Sequence, residues 1–157
     1  MLNQDYNVLL IEDDATTNRS TKQWLGYHGY RVISCFDIYD ANANWAKYKS
    51  NIRCIITDLN FVANGLNDEH KKESVGGLYT GWLWLWEKVF SDPMLKNLPL
   101  KKVIFLTAYQ NSLAKYINNL EEKAQKDAYE NDTIVIAKGD PDDAQQILLS
   151  TLKGLEV

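Results

Sequence analysis

Cysteine is scarce in this chain: Cys35 and Cys54 are the only two among 157 residues. Each lies inside an apolar, strand-like run. Two such thiols neither staple a small secreted fold nor build a thiolate metal site, so both read as reduced, buried groups of a cytoplasmic protein. Positive charge is not in excess either. A net charge of −4 argues against a nucleic-acid surface as the main business of the chain. No apolar run approaches the roughly 20 residues that span a bilayer. The N-terminus lacks the basic region and long apolar stretch of a signal peptide. Glycine-rich phosphate loops of the P-loop or dinucleotide type are missing, which argues against an ordinary nucleotide site. There is no internal repeat and no low-complexity segment.

What remains is a composition of 45% hydrophobic and 24% charged residues, suited to one globular domain with its own core. Apolar runs stand at 6–11, 31–36, 52–57, 102–107 and 133–137. They lack strict alternation, so each reads as a strand buried on both faces, the habit of parallel sheets. Helical segments separate them. The first, 15–28, is capped by Asp14 and stopped by Gly29, with a thin apolar stripe of Ala15, Trp24 and Leu25. Asp37 or Asp40 opens a second, with Ala41, Trp45 and Tyr48 at helical spacing. The stretch 64–77 is polar and aperiodic and reads as a loop.

A third helix, 79–90, ends at Asp92-Pro93. Its core stripe is Trp82, Leu85, Trp86 and Val89. Leu83 and Trp84 fall off that stripe; a cover supplied by 64–77 is the first reading and a partner surface the second. A long helix, 111–129, carries Leu113, Ile117, Leu120, Ala124 and Ala128 on one face. Asp140-Pro141-Asp142-Asp143 opens the last helix. His28 and His70 have no ligand-like neighbours and read as surface residues, and Lys71-Lys72 as a solvated pair. Five strands alternating with five helices predict an α/β fold with a parallel sheet between two helical layers, and no second domain.

In such a sheet the residues just past the strand ends share one edge, where ligands and chemistry collect. Here they are Glu12 and Asp13, Asp58, Thr107 and Lys138. Crowded carboxylates need counter-charge to stay ionised. A hard divalent cation and a lysine supply it, and Mg²⁺ prefers few carboxylates, waters and phosphate oxygens. A carboxylate nucleophile, Asp58, beside a metal, a lysine and a hydroxyl is an apparatus for phosphoryl transfer. With no nucleotide loop, the phosphoryl group arrives on a partner.

These residues carry a resemblance to the receiver domain of bacterial two-component response regulators, over the whole chain. Val8-Leu9-Leu10-Ile11-Glu12-Asp13 resembles the family's first strand and acidic pair, with Arg19 and Gly29-Tyr30-Arg31-Val32 at the spacing that follows. Ile55-Ile56-Thr57-Asp58 resembles the phosphoacceptor strand, Phe105-Leu106-Thr107-Ala108 the fourth strand, and Ala137-Lys138 the lysine signature. The resemblance implies a flavodoxin-like, three-layer αβα fold with strand order 2-1-3-4-5. It implies phosphorylation of Asp58 by a histidine kinase or phosphotransfer protein, assisted by Lys138 and Thr107. Mg²⁺ would be held by Asp13, Asp58 and the backbone carbonyl of Asn60, with Glu12 reaching it through water; Ala108 leaves room for the phosphoryl group. It further implies a cytoplasmic signalling module without turnover of its own. A downstream protein would be its target, and homodimerisation through the fourth helix, fifth strand and fifth helix is the family habit.

The chain departs from that pattern in four places. Phe61-Val62 replaces the usual Met-Pro, and the equivalent glycine, Gly81, comes late, so 64–77 reads as an insertion that is either a lid or kinase contact or a tolerated excursion. Gly139 follows Lys138 where the family has a cis proline. A cis bond without proline costs about 2.5–4 kcal/mol, so a trans bond is expected. Val135 stands at the switch aromatic, with Tyr109 a weak substitute. The segment between Thr107 and Lys138 is long, as an extended fourth helix over 111–129 would make it. Two further functions compete with phosphoryl acceptance. One is a pseudo-receiver, an interaction module switched by something else. The other is an aspartyl-phosphate hydrolase, disfavoured because Asn60 stands where its second aspartate would be.

Overall fold

The computed structural model describes residues 7–61, 66–74 and 77–155. Its strands are β1 (Asn7–Ile11), β2 (Arg31–Cys35), β3 (Ile52–Thr57), β4 (Lys102–Thr107) and β5 (Thr133–Ala137). They pair in parallel in the order β2-β1-β3-β4-β5. The helices are α1 (Ala15–Tyr27), α2 (Ile38–Tyr48), α3 (Asp68–Glu73), α4 (Thr80–Trp84), α5 (Gln110–Asn118), α6 (Lys123–Asp132) and α7 (Pro141–Leu155). Leu85–Phe90 continue α4 as a π-type turn. The class is the expected three-layer αβα fold, with more helices than the five anticipated.

Alternation of side chains along each strand divides the core. Val8 and Leu10, Cys54 and Ile56, Ile104 and Ile136 meet Leu25 of α1 and Leu148 and Leu152 of α7 on one face. Leu9 and Ile11, Ile55, Val103 and Phe105 meet Trp45, Trp82 and Leu113 from α2, α4 and α5 on the other. Cys35 and Cys54 are both free and buried, and burial pushes their thiols far up, the Cys35 thiol to about 12. Asp14 caps α1, accepting from Thr16 N at 3.1 Å. Both candidates serve at α2. Asp37 accepts from Asp40 N at 2.7 Å, while Asp40 reaches back to Phe36 N at 3.2 Å.

Three expectations are corrected. First, 64–77 is not loop throughout, because α3 forms within it. Asn67 Oδ1 accepts from His70 N at 2.8 Å, and Asp68 and Glu69 favour the first turn. Leu66 is the one buried apolar side chain among the described residues of the stretch, which shows no period to read. Residues 64–65 and 75–76 of this segment lie outside the described residues. Second, 111–129 is two helices. Asn119 ends α5, Leu120 N turns back to Ile117 O at 3.1 Å, and α6 restarts after Glu122. The break shifts the phase. Ala124 faces solvent and Gln125 turns inward, where its Oε1 accepts from Trp82 Nε1 at 2.8 Å. Third, His70 is no plain surface residue. Its Nδ1 lies 3.4 Å from Glu87 Oε2, tying α3 to the π turn.

Leu83 and Trp84, off the expected stripe, are fully buried. Leu66 packs in the same cluster, so the insertion supplies part of the cover. Helix α2 supplies more, since Asn42 Oδ1 accepts from Trp84 Nε1 at 2.7 Å. Trp86, expected in the core, is half-buried.

Candidate functional site

The register levels the strand ends. Ile11 pairs with both Cys35 and Thr57, so Glu12 and Asp58 leave the sheet side by side. Thr107 pairs with Ala137, and Lys138 follows directly. Lys138 N donates to Thr107 O at 2.9 Å, and Asp58 N to Ile11 O at 3.2 Å, so backbone bonds hold both functional residues at the edge. From there the Lys138 ammonium reaches across the strand ends. Its Nζ donates to Asp58 Oδ2 at 2.8 Å and to Glu12 Oε1 at 2.5 Å. Asp58 Oδ1 accepts from Leu59 N at 2.6 Å, which fixes the carboxylate in one orientation.

One cation serving two acids shapes the electrostatics. The Glu12 side chain is only 6% exposed. Burial raises its pKa, and the hydrogen bond and charge of Lys138 only partly offset this, while Asp58 adds repulsion. Burial alone would lower Lys138, but its hydrogen bonds to Asp58 and Glu12 outweigh that and the net shift is upward. Lys138 is therefore a firmly protonated donor, and Glu12 holds a proton more readily than an exposed glutamate.

Sequence reasoning missed the residue that seats Glu12. Asn18, fully buried in α1, donates through Nδ2 to Glu12 O at 2.9 Å and to Cys35 O at 3.0 Å. It thereby ties the ends of β1 and β2 to the helix. Its signal was present: Asn18 stands one heptad before the buried Leu25, on the inward side.

Below Asp58 the chain leaves on its excursion and returns to the same place. Phe61 N donates to Gly77 O at 3.0 Å, Thr80 Oγ1 to Phe61 O at 3.0 Å, and Gly81 N to Leu59 O at 2.8 Å. Gly77 has φ 105°, a conformation that suits glycine. At Gly81 the reason is space: a Cβ there would stand 2.3 Å from Asp58 O. Gly81 thus packs on the backbone of Asp58 despite its late position in sequence. Tyr79, between these anchors, stacks on Tyr116 of α5 with ring centroids 4.3 Å apart.

The structure brings Glu12, Asp58 and Lys138 into direct contact. Thr107, fully buried, joins through the backbone bond to Lys138, and its Oγ1 accepts from Tyr109 N at 3.0 Å. Asp13 is exposed and Asn60 half-exposed at the edge. Val135 is packed against the core, and no cis peptide bond occurs among the described residues. Among them, no three His, Cys, Asp or Glu side chains gather into a ready-made metal cage. Among the described residues no helix is long and apolar enough to cross a membrane.

No protein-family model matches the sequence, and neither does any curated protein. The fold does have solved counterparts. The chemotaxis response regulator CheY4 of Vibrio cholerae aligns over 96% of this chain and 98% of its own, at TM-score 0.61 and 18% identity. A response regulator receiver domain protein from Clostridium thermocellum aligns over 97% and 99%, at TM-score 0.56 and 16% identity. A crystal structure of the P1 domain of CheA3 in complex with CheY6 from R. sphaeroides contributes a chain aligned over 97% of both, at TM-score 0.58 and 15% identity. The fold of this chain is that of response regulator receiver domains, from first strand to last helix.

Proposed function

We propose that the chain is a phosphoacceptor of two-component signalling. Asp58 takes a phosphoryl group from a phosphohistidine on a histidine kinase or phosphotransfer protein, and passes the signal on by protein contact. The observation that carries this reading is Lys138 Nζ, held between Asp58 Oδ2 and Glu12 Oε1 at the C-terminal edge of a receiver-type sheet. In the transfer, an Asp58 carboxylate oxygen bonds to phosphorus, the phosphorus–nitrogen bond breaks, and the freed imidazole takes up a proton. Lys138 is placed to follow the charge that moves onto the phosphoryl oxygens. A neighbour solved with a P1 domain supports a partner of the phosphotransfer kind.

The donor set fits Mg²⁺. The candidate donors, the Asp13 and Asp58 carboxylates and the Asn60 carbonyl, are all oxygens, the donor type of an ion that takes one or two carboxylates together with phosphate oxygens and water. Asp13, Asp58 and the Asn60 carbonyl would hold it, with Glu12 acting through water; when bound, it would neutralise developing phosphoryl charge. Cytoplasmic location and the absence of independent turnover belong to the same reading.

Incubation with Mg²⁺ and a small phosphodonor or beryllofluoride tests it, read by intact mass and amide NMR. A single adduct that is lost in Asp58→Asn is the expected result. No adduct, or an equal one on Asp58→Asn, overturns phosphoryl acceptance. Val135 favours a second reading, because no aromatic ring stands there to swing with Asp58. A protein that binds its partner equally well with and without the adduct is a phosphorylation-independent interaction module.

A further inference from the structure

Helix α1 buries two of its side chains completely, Leu25 and Asn18. Leucine suits the inward stripe of a helix. Asparagine is a poor helix former, because its amide competes with the backbone, and its burial is costly unless its polar atoms find partners. Nδ2 finds two, Glu12 O at 2.9 Å and Cys35 O at 3.0 Å. Oδ1 is buried with no donor among the described residues. A leucine at this position would take the Asn18 bond from Glu12 O but would bury no orphaned acceptor of its own. Cys35 O would keep its bond from Glu12 N at 3.0 Å. The choice trades one unpaired buried oxygen for another, so stability gives asparagine little advantage. What the amide adds is a fixed exit for Glu12. Its N is held by Cys35 O and its O by Asn18, so the main chain is gripped on both sides of the residue. The side chain then reaches Lys138 Nζ through Oε1 at 2.5 Å and accepts from Asp14 N through Oε2 at 3.3 Å.

We propose that Asn18 is a positioning residue for phosphoryl transfer at Asp58, acting through Glu12 on Lys138. The inference rests on phosphoryl acceptance at that edge. Lys138 Nζ is shared between Asp58 Oδ2 at 2.8 Å and Glu12 Oε1 at 2.5 Å. Each end of this bridge is held from behind. Asp58 Oδ1 accepts from Leu59 N at 2.6 Å, a backbone bond that any residue but proline supplies. Glu12 is held by a side chain of α1, so one substitution releases it. With Glu12 free to turn, Lys138 settles on Asp58 alone. The carboxylate that attacks phosphorus is then tied into a tighter ion pair, and the ammonium leaves the place where phosphoryl charge develops. Misplacement of a reacting group by about 1 Å can cost about 100-fold in rate.

Asn18→Leu in the full chain tests the proposal, with Leu25→Ala, the other buried position of α1, as the control for stability alone. Two quantities are read. One is the rate of adduct formation with Mg²⁺ and acetyl phosphate, by intact mass and per folded molecule. The other is the nitrogen NMR signal of the Lys138 ammonium in the unmodified protein. Asn18→Leu is expected to slow adduct formation at saturating acetyl phosphate by about tenfold or more. The half-saturating concentration should stay unchanged and the Lys138 signal should move. Leu25→Ala should lower the unfolding midpoint and alter neither quantity. If Asn18→Leu does not fold, Asn18→Ala carries the same expectation. A wild-type rate or an unmoved Lys138 signal in the folded Asn18 variant overturns the proposal, as does an equal loss of rate in Leu25→Ala. Wild type that takes up no phosphoryl group overturns phosphoryl acceptance and this role together, whereas equal uptake by wild type and the Asn18 variant overturns this role alone.

Discussion

Gly81 is where the architecture is least forgiving of a single methyl group. Its backbone dihedral is unexceptional, so the constraint is the 2.3 Å that a Cβ would leave to Asp58 O and the 3.0 Å to Leu59 Cα. Both are main-chain atoms and cannot swing aside. Gly81→Ala is expected to destabilise the protein by about 1–3 kcal/mol, the usual range for overpacking. It should also displace Asp58 from Lys138. Urea unfolding measures the first effect, and the rate of beryllofluoride adduct formation the second. A variant as stable and as reactive as wild type contradicts the contact. Lys138 is the complementary case, a residue whose position is set by its partners. Glu12 and Asp58 hold it from two sides, and Thr107 O anchors its backbone.

Among the elements, α4 is unusual in burying every residue from Thr80 to Trp84. A helix buried all round cannot show a one-sided stripe, so periodicity leaves Leu83 and Trp84 off the core face, and the cover expected from 64–77 accounts for only part of their burial. The Trp84 indole is bonded to Asn42 of α2, and both side chains share a buried cluster with Leu66, partners remote in sequence. Leu83→Ala should therefore cost about 2–5 kcal/mol, as for a core leucine and unlike a surface one. Chemical unfolding gives the number, and a loss of under about 1 kcal/mol would contradict full burial. The same logic separates what sequence reveals from what it hides. The five strands were legible because unalternating apolar runs have one ready interpretation, and the acids and lysine at their ends follow from parallel topology. The break between α5 and α6 was not, because Leu120 and Ala124 continue the helical period across it. Nor was Asn18, whose burial depends on two strand-end carbonyls that only the fold brings near.

Across the whole molecule, the edge bearing Asp58 and the opposite edge are held by different ion pairs. At the far edge Lys49 Nζ donates to Asp92 Oδ2 at 2.9 Å and Trp45 Nε1 to the same oxygen at 3.3 Å, joining the end of α2 to the end of the α4 segment. The Lys49 hydrogen bond, then the Met94 amide, lowers the Asp92 pKa. A lowered carboxylate stabilises the fold above its unfolded pKa, near 3.8, and that contribution disappears as pH falls through the lower folded value. Asp92→Asn should thus be less stable than wild type at neutral pH, with the gap closing only below the ordinary carboxylate range. Thermal unfolding from neutral to strongly acidic pH tests this, and a gap independent of pH contradicts it. Adduct formation at Asp58 should be unaffected at neutral pH, since the pair lies at the other edge.

The closure of the excursion on itself makes it a graft point in the chain. Phe61 and Gly77 are hydrogen-bonded neighbours, so the sheet sees the same two anchors whatever lies between them. Loop-closure entropy rises only slowly with length, so added length is tolerated there, while Leu66, packed in the core cluster, and His70, paired with Glu87, tie part of the segment's sequence to the fold. Length added there leaves the edge bearing Glu12, Asp58 and Lys138 where it is, since the chain re-enters at Gly77 before Gly81 packs on Asp58.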